Sequence, residues 1–180
     1  MKPKKIVITG GPSTGKTTVI NKIDALGYTC LHEISRDVTL AAREEGITQL
    51  FITNPLLFSD KLLAGRLDQF NTANTIEEEV VFLDRGVPDV VAYLNGTDIT
   101  YGENYKETCN TAKYDVVFIF PPWEEIHSND NERYEDFEEA KRIHQLLDQT
   151  YRDYGYTPII VPTGTVEERT NFILKTLNIS

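Results

Sequence analysis

The eight residues 10–17 constrain the fold of this chain more than any other feature of its sequence. They read Gly-Gly-Pro-Ser-Thr-Gly-Lys-Thr and fit G-x-x-x-x-G-K-[ST], the pattern of a phosphate-binding loop. A short β-branched run, Ile6 to Ile8, precedes them, and a helical pattern starts at Thr17. The order of strand, glycine loop and helix predicts an α/β fold with a phosphate site at the loop. A plain glycine-rich turn before a helix is the alternative.

Each part of the loop has its own predicted role. Glycines let backbone N–H groups curl around a polyphosphate, and the N-terminus of the following helix adds partial positive charge. We expect Lys16 to reach the outer phosphates of ATP and Thr17 to place its hydroxyl on Mg²⁺. The predicted nucleotide-binding residues of the loop are Gly11, Pro12, Ser13, Thr14, Gly15, Lys16, Thr17 and Thr18.

Composition narrows the class of protein. The 180 residues predict one domain, 1–180, with a sizeable core. A net charge of −10 argues against nucleic-acid and anionic-membrane partners. Cys30 and Cys109 lack metal-ligand spacing, and no apolar run resembles a membrane span or a signal peptide. We therefore expect reduced thiols in a cytoplasmic protein.

Five apolar runs predict strands, and helical patterns separate them. This alternation implies a parallel sheet with helices on both faces, in which ligands bind past the carboxyl ends of the strands. Asn54 followed by Pro55 resembles a helix start within the long stretch 34–79. The predicted strands are 5–9, 28–32, 80–83, 116–120 and 159–161, and further helices are predicted in 129–154 and 166–177.

Asp84 and Arg85 come directly after the third predicted strand. A carboxylate at this place can hold the Mg²⁺ shell of a phosphate-loop protein, directly or through water. An Asp-Arg dipeptide there is typical of kinases for small molecules and nucleotides, in which the arginine holds the acceptor or its phosphate. The alternative is a helix cap or a turn, with Arg85 in a surface ion pair.

Four segments together resemble one protein family. They are residues 8–17, 33–37, 82–89 and 130–133. The chain resembles the AAA domain 28 family of small ATPase- and kinase-like proteins, and it is similar to the ribosylnicotinamide kinase domain of NAD-biosynthesis regulators and to the TRP-translocation-defect protein. The resemblance implies a P-loop NTPase fold with a nucleotide site, the kinase-like strand order 2-3-1-4-5 and a helical lid.

Glu33 follows the second predicted strand. Deoxynucleoside kinases, which the chain resembles more distantly, carry there an acid that takes the proton of the acceptor hydroxyl. The resemblance implies that Glu33 orients or deprotonates an acceptor. With Glu33 in the cleft, we expect Arg36 to bind the anionic part of that acceptor, and Arg85 is a further predicted acceptor residue. Glu33 and Arg36 are also three residues apart at a helix start, which fits a surface ion pair equally well.

Two further candidates follow the later strands. Arg133 is the predicted lid arginine, because a lid can bring a cation to the oxygens that gain negative charge in phosphoryl transfer. A solvated charged helix is the alternative. Gly164 and Thr165 follow the fifth strand, where many kinases of this class close over the purine with backbone groups. A plain loop, with Thr165 capping the last helix, is the alternative.

Two functions remain open from the sequence. The leading interpretation is a phosphotransferase that binds ATP and Mg²⁺ and passes the γ-phosphoryl group to a small acceptor such as a nucleoside, nucleotide or riboside. The alternative is a regulatory switch that binds ATP or GTP, hydrolyses it slowly and responds to a protein partner. For the phosphotransferase, the predicted catalytic residues are Lys16, Glu33, Asp84, Arg85 and Arg133.

Overall fold

A computed structural model describes residues 2–127 and 137–179 of the protein. Its centre is a sheet of five parallel strands in the order β2-β3-β1-β4-β5. The strands are β1 (Lys4–Gly10), β2 (Cys30–Leu31), β3 (Val80–Asp84), β4 (Val116–Phe120) and β5 (Ile159–Ile160). The predicted parallel sheet and its strand order are confirmed.

Nine helices lie in the described residues. Asn54 caps one of them through its side chain, and Pro55 stands in the first turn, as predicted. Within residues 2–127 and 137–179, no helix is both long and apolar enough to cross a membrane. The helices are α1 (Lys16–Ala25), α2 (Ser35–Glu44), α3 (Leu50–Thr53), α4 (Pro55–Ala73), α5 (Val87–Asn95), α6 (Glu103–Thr111), α7 (Glu124–His127), α8 (Phe137–Asp153) and α9 (Val166–Leu177).

Alternating side chains of the strands cover the two faces of the sheet. Ile6 and Ile8 of β1 pack with residues of α1 and α9 on one face. Val7 packs on the opposite face with residues of α4, α5, α6 and α8. Helices therefore cover both faces, and the connections after β1, β2 and β3 all reach the same edge of the sheet.

Several element boundaries differ from the sequence predictions. The predicted helical stretch 34–79 divides into α2, α3 and α4, because Gly46 and Gln49 have positive φ (84° and 51°) and redirect the chain. The edge strands β2 and β5 span two residues each, since each pairs on one side only. Of the predicted helix 129–154, α8 covers 137–153, and 129–136 lie outside the described residues.

The helix α5 has no counterpart among the predicted elements. Most of its side chains are buried, so its sequence carries no alternation between an apolar and a polar face. The helix nevertheless starts just past β3 and therefore brings its first turn to the edge of the sheet where the loop after β1 lies.

Candidate active site

One cavity of about 680 Å³ opens where the carboxyl ends of β1, β2 and β3 meet. Its wall contains residues 11–18 of the glycine loop, which we call the phosphate side. Glu33, Arg66, Arg85 and Asp89, together with apolar residues of α3, α4 and α5, form what we call the acceptor side. The glycine loop and the predicted acceptor residues Glu33 and Arg85 thus share one cavity.

Glycines give the phosphate side its shape. Gly15 stands at the N-cap of α1 with a φ of 76°, and as a glycine it has no side chain to cap that turn. The first N–H groups of α1 are therefore available to an anion, which the helix dipole also favours. A Cβ atom at Gly10 would lie 2.8 Å from the carbonyl oxygen of Phe120, so the loop leaves β1 at a point where only glycine fits against β4.

Lys16 and Asp84 form a buried ion pair in the cavity. The Nζ atom of Lys16 lies 3.1 Å from Oδ1 of Asp84, and both side chains are over nine-tenths buried. Burial, and then the positive charge of Arg85, lower the pKa of Lys16, while Asp84 opposes that shift. Because β3 pairs with β1 so that Asp84 lies beside Ile8, the sheet itself brings this carboxylate to the glycine loop.

Thr17 and Asp84 present the kinds of oxygen atom that Mg²⁺ prefers. The Thr17 residue is exposed in the cavity wall, next to Lys16 in the chain. Mg²⁺ is bound through one or two protein oxygens, substrate phosphates and waters rather than by a closed protein cage. The described residues hold no group of three or more His, Cys, Asp or Glu suited to a metal ion.

Glu33 lies between two arginines on the acceptor side. Its Oε1 atom accepts a hydrogen bond from Nη2 of Arg66 at 2.9 Å, and its Oε2 atom lies 2.6 Å from Nε of Arg85. The backbone N–H groups of Ile34, which precedes α2, and of Ser35, its first residue, also donate to Oε1. Burial alone raises the pKa of Glu33, but the charges of Arg66 and Arg85 outweigh it and lower that pKa to about 2. Glu33 is therefore a fixed carboxylate at neutral pH.

Asp89 holds Arg85 from the other side. Oδ1 of Asp89 accepts from Nη1 of Arg85 at 3.1 Å and from the hydroxyl of Thr9 at 2.5 Å. Its Oδ2 atom accepts from the hydroxyl of Tyr151 on α8 at 2.5 Å. Arg85 itself has a φ of 74°, an uncommon backbone conformation for a residue with a side chain. Its strain is offset by two ion pairs, which fix its guanidinium in the cavity wall.

Aromatic side chains complete the acceptor side. Phe51 and Phe58 lie edge to face with their ring centroids 6.3 Å apart, and the ring of Tyr93 stacks on the guanidinium of Arg85 at 5.8 Å. Phe51 is 49% exposed and Tyr93 41%, although both are large apolar rings. Exposed rings around a cavity with a few fixed polar groups are suited to a small ligand with a flat, apolar part.

The structure separates the predicted site residues into three groups. Residues 11–18, Glu33, Asp84 and Arg85 line the one cavity. Arg36 is exposed, lies outside the cavity wall and makes no ion pair with Glu33, because that carboxylate turns inward to Arg66 and Arg85. Arg133 lies outside the described residues.

Gly164 and Thr165 also lie outside the cavity wall. The Thr165 hydroxyl accepts from the backbone N–H of Glu168, whose carboxylate accepts in return from the Thr165 N–H. This capping box starts α9. The contacts of Thr165 are therefore those of the alternative interpretation, in which it caps the last helix.

Arg66 and Asp89 are the charged residues of the described cavity wall that the sequence predictions lack. Arg66 is 3% exposed and donates to the backbone carbonyl of Asp84 as well as to Glu33. The sequence does hold a signal that Arg66 is buried. Arg66 follows Leu62 and Leu63 at the spacing of one helix face, so this arginine stands at an apolar position of the helix. Asp89 lies inside the segment 82–89 that carries the family resemblance. Because Thr9 and Tyr151 are far from it in sequence, the sequence does not indicate that Asp89 contacts them.

Comparison with known families agrees with this architecture. Residues 5–169 match the AAA domain 28 family, described as an AAA domain. The chain belongs to this family. The match includes the glycine loop, the ends of β2 and β3, and α9 as far as Arg169.

Solved structures show which folds resemble this family member. A deoxyadenosine kinase from M. mycoides has a TM-score of 0.69 and 18% identity, with 97% of this chain and 98% of that chain covered. A NadR protein in complex with NR has a TM-score of 0.75 and 17% identity, and the match covers 99% of this chain but 53% of that one. Thymidylate kinase from Candida albicans has a TM-score of 0.64 and 15% identity, covering 98% and 92%.

These structural similarities show the fold alone, which is that of P-loop kinases. No curated protein sequence is significantly similar to this chain.

Proposed function

We propose that the protein is an ATP- and Mg²⁺-dependent kinase that transfers the γ-phosphoryl group to a hydroxyl of a small nucleoside- or riboside-like acceptor. The observation that carries this proposal is the single cavity shared by the phosphate side and the acceptor side. Phosphoryl transfer depends on holding donor and acceptor in line within one site from which bulk water is excluded. The kinase folds that resemble this chain support the same activity.

On the phosphate side, the loop N–H groups and Lys16 bind the triphosphate. Lys16 leaves Asp84 for the outer phosphates, which frees the carboxylate of Asp84. Thr17 and Asp84 would hold the Mg²⁺ ion, which supplies charge neutralisation on the phosphates when it is bound. Burial lowers the pKa of Lys16, so the charged ammonium is poorly solvated there and a phosphate would stabilise it.

On the acceptor side, Glu33 accepts a hydrogen bond from the hydroxyl to be phosphorylated. With a pKa of about 2 it is a weak base, so its main contribution is to orient the hydroxyl oxygen towards the γ-phosphorus. This suffices for a loose transition state, in which the hydroxyl proton is lost late. Arg66 and Arg85 hold the carboxylate in place, and Arg85 also adds positive charge near the reacting oxygens.

The charge balance of the acceptor side favours an acceptor without a phosphate group. In the described part of its wall, the cations of the acceptor side are Arg66 and Arg85, and Glu33 and Asp89 already neutralise them. A monophosphate would have to break these ion pairs in a partly buried site, which is costly. The aromatic rings instead suit the base of a nucleoside or a related ring. Arg133 stays a predicted lid residue, to be tested by Arg133→Ala.

The test is a transfer assay with γ-labelled ATP over a panel of nucleosides and ribosides, with the corresponding monophosphates as a second arm. We expect label in a nucleoside or riboside, little in the monophosphates, and none in either arm for Lys16→Ala. Label in the monophosphates alone would contradict the argument from charge. No labelled acceptor, together with ATP hydrolysis that a protein partner accelerates, would contradict the kinase and favour the switch.

A further inference from the structure

Arg169 of α9 lies directly behind the phosphate side, outside the cavity wall. The side chain is 2% exposed, and its Nη1 atom donates to the backbone carbonyl of Thr14 at 2.8 Å. A Cβ atom added to Gly15 would lie 2.7 Å from the same nitrogen, so glycine leaves the room that this guanidinium needs. The capping box of Thr165 and Glu168 fixes the first turn of α9 and thereby the place of Arg169.

The contact with Thr14 fixes the direction of a backbone N–H group. In a trans peptide the carbonyl and the following N–H point in opposite directions. Because the Thr14 carbonyl points to Arg169, the N–H of Gly15 points away from Arg169. Gly15 lines the cavity and Arg169 does not, so this hydrogen bond holds one loop donor in the orientation that a phosphate needs.

The guanidinium of Arg169 carries a charge that no carboxylate of the described residues neutralises. Its carbon atom lies 4.3 Å from the ring centroid of Phe120 and 5.6 Å from that of Trp123. Its Nε and Nη2 atoms are buried and lack hydrogen-bond partners among the described residues. Burial lowers the pKa of Arg169 to about 10, which leaves it protonated at neutral pH.

A buried cation without a counter-ion destabilises a protein unless a ligand supplies the opposite charge. A polyphosphate bound in the loop would lie on the other side of the peptide between Thr14 and Gly15. In the low dielectric of a protein interior, charges at such a separation attract each other strongly compared with the same charges in water. The aromatic faces of Phe120 and Trp123 hold the guanidinium in place.

We propose that Arg169 is a positioning residue for nucleotide binding. It orients the peptide between Thr14 and Gly15, and it carries a buried positive charge that the phosphates of the nucleotide balance. The proposal rests on the nucleotide binding of the proposed function. It predicts an unusual pair of effects, in which removing the charge weakens nucleotide binding without weakening the ligand-free fold.

The experiment compares R169M, R169Q and R169K with the wild type and with R152M. Methionine and glutamine remove the charge, and lysine keeps it. Arg152 is an exposed cation on α8 that pairs with Asp148, so R152M controls for a change in net charge. Titration calorimetry with a nonhydrolysable Mg·ATP analogue gives the affinity, thermal melting without ligand gives the stability, and steady-state assays give KM for ATP and for the acceptor.

We expect R169M and R169Q to bind the analogue at least about tenfold more weakly than the wild type, and R169K within about threefold of it. KM for ATP should rise in the neutral variants while KM for the acceptor stays constant. The ligand-free melting temperature of R169M should stay within about 3 °C of the wild type or rise, because an apolar side chain of similar volume replaces an unpaired buried charge.

Wild-type affinity in R169M and R169Q would overturn the proposal, and so would an equal loss in R169K and R169M, since the charge would then not matter. If R169M does not fold, R169Q decides the question by the same criteria. A wild type that binds no nucleotide at all would instead overturn the proposed function. Where the wild type binds, a loss of binding in Lys16→Ala shows that the nucleotide lies in the cavity, so that the Arg169 variants test the same site.

Discussion

The phosphate side and the acceptor side of the cavity are built in different ways. One connection between a strand and a helix provides the whole phosphate side, and the groups that we propose to bind its ligand are backbone N–H groups and Lys16. The acceptor side consists of side chains from four separate places in the chain, held to one another by ion pairs. A backbone site keeps its shape when a side chain changes, whereas a side-chain network depends on every member.

The two sides also differ in their charge balance. On the acceptor side, Glu33 and Asp89 neutralise Arg66 and Arg85, so that this side presents a rigid but balanced surface. On the phosphate side, Lys16 forms an ion pair with Asp84. Arg169, behind the loop, has no carboxylate partner among the described residues. A positive excess at one side and balance at the other are what a cavity for a polyanion and a neutral alcohol requires.

The largest effect should come from removing Lys16, the cation that the described residues contribute to the wall of the phosphate side. We expect Lys16→Ala to weaken the affinity for Mg·ATP on the order of 1000-fold, because charge-assisted hydrogen bonds to the outer phosphates are lost. The folded state should persist, since burial already disfavours the charge of Lys16. Calorimetry with an ATP analogue and thermal melting measure both quantities.

Lys22→Ala is the matched control, because Lys22 is an exposed lysine on the same helix. It should bind the analogue like the wild type. Equal affinities in Lys16→Ala and the wild type would show that the loop does not bind phosphates, and the distinction between the two sides would then lose its basis.

On the acceptor side, Glu33→Gln should separate transfer from nucleotide binding. We expect the rate of phosphoryl transfer to fall roughly 300-fold, because the amide cannot orient the hydroxyl as a carboxylate does. The affinity for the ATP analogue should stay within about twofold, since Glu33 belongs to the other side of the cavity. Single-turnover kinetics measure the transfer step, and Glu45→Gln, an exposed residue paired with Lys61, serves as the control.

A loss of ATP affinity equal to the loss of transfer in Glu33→Gln would contradict the separation of the two sides. A transfer rate like that of the wild type would remove Glu33 from the site altogether.

The ion pairs of Glu33 should also appear in the pH dependence of stability. The pKa of Glu33 is about 2 in the folded protein, below the value of about 4.3 for an unfolded glutamate. The stabilisation is therefore present above about pH 5 and is lost as the pH falls towards 2. It amounts to about 3 kcal/mol, at about 1.4 kcal/mol for each pKa unit.

Denaturant unfolding of the wild type and Glu33→Gln, at several pH values from 7 to 2, measures this contribution. The difference between their free energies of unfolding should shrink by about 3 kcal/mol across that range, since the amide does not titrate. A constant difference would mean that Arg66 and Arg85 do not stabilise the carboxylate in solution.

Asp84→Asn probes the point where the two sides meet. We expect Mg²⁺-dependent activity to fall about 100-fold, the upper end of the usual cost of disturbing a metal-positioning group. A Mg²⁺ titration of the transfer rate measures this effect. Asp115→Asn is the control, because Asp115 precedes β4 at the opposite edge of the sheet. Activity near that of the wild type at every Mg²⁺ concentration would leave Asp84 as a partner of Lys16 only.

The different construction of the two sides explains how far the sequence predicts each. The phosphate side lies within eight consecutive residues, so the motif predicts which residues form it, and the β-branched runs predict the sheet that carries it. The strand order follows from the family resemblance. The acceptor side depends on which distant residues meet, and a sequence without contacts cannot show that Glu33 turns to Arg66 rather than to Arg36.

Two outcomes show the same limit from opposite directions. Spacing alone permits a Glu33–Arg36 pair, but a buried cation at Arg66 competes more strongly for the carboxylate. In the sequence, Arg169 is one more charged residue on an amphipathic helix. Only the structure, in which it is buried against Phe120, shows that it lies behind the glycine loop. Sequence predicts local groups well and charge partners poorly, because partners are set by tertiary packing.

The smallest effect should come from Arg36→Ala. The sequence predicts that Arg36 binds the anionic part of the acceptor, yet the residue is exposed and outside the cavity wall, and Glu33 pairs elsewhere. We therefore expect KM for the acceptor and kcat to stay within about twofold, and the free energy of unfolding within about 0.5 kcal/mol, as for an ordinary surface substitution. Steady-state assays and denaturant unfolding measure these quantities beside Arg43→Ala, an exposed arginine in the last turn of the same helix. A rise of tenfold or more in KM for the acceptor in Arg36→Ala alone would show that α2 turns this arginine inward when acceptor binds. The acceptor side would then gain an unpaired cation, and the charge argument for a neutral acceptor would give way to one for an anionic acceptor.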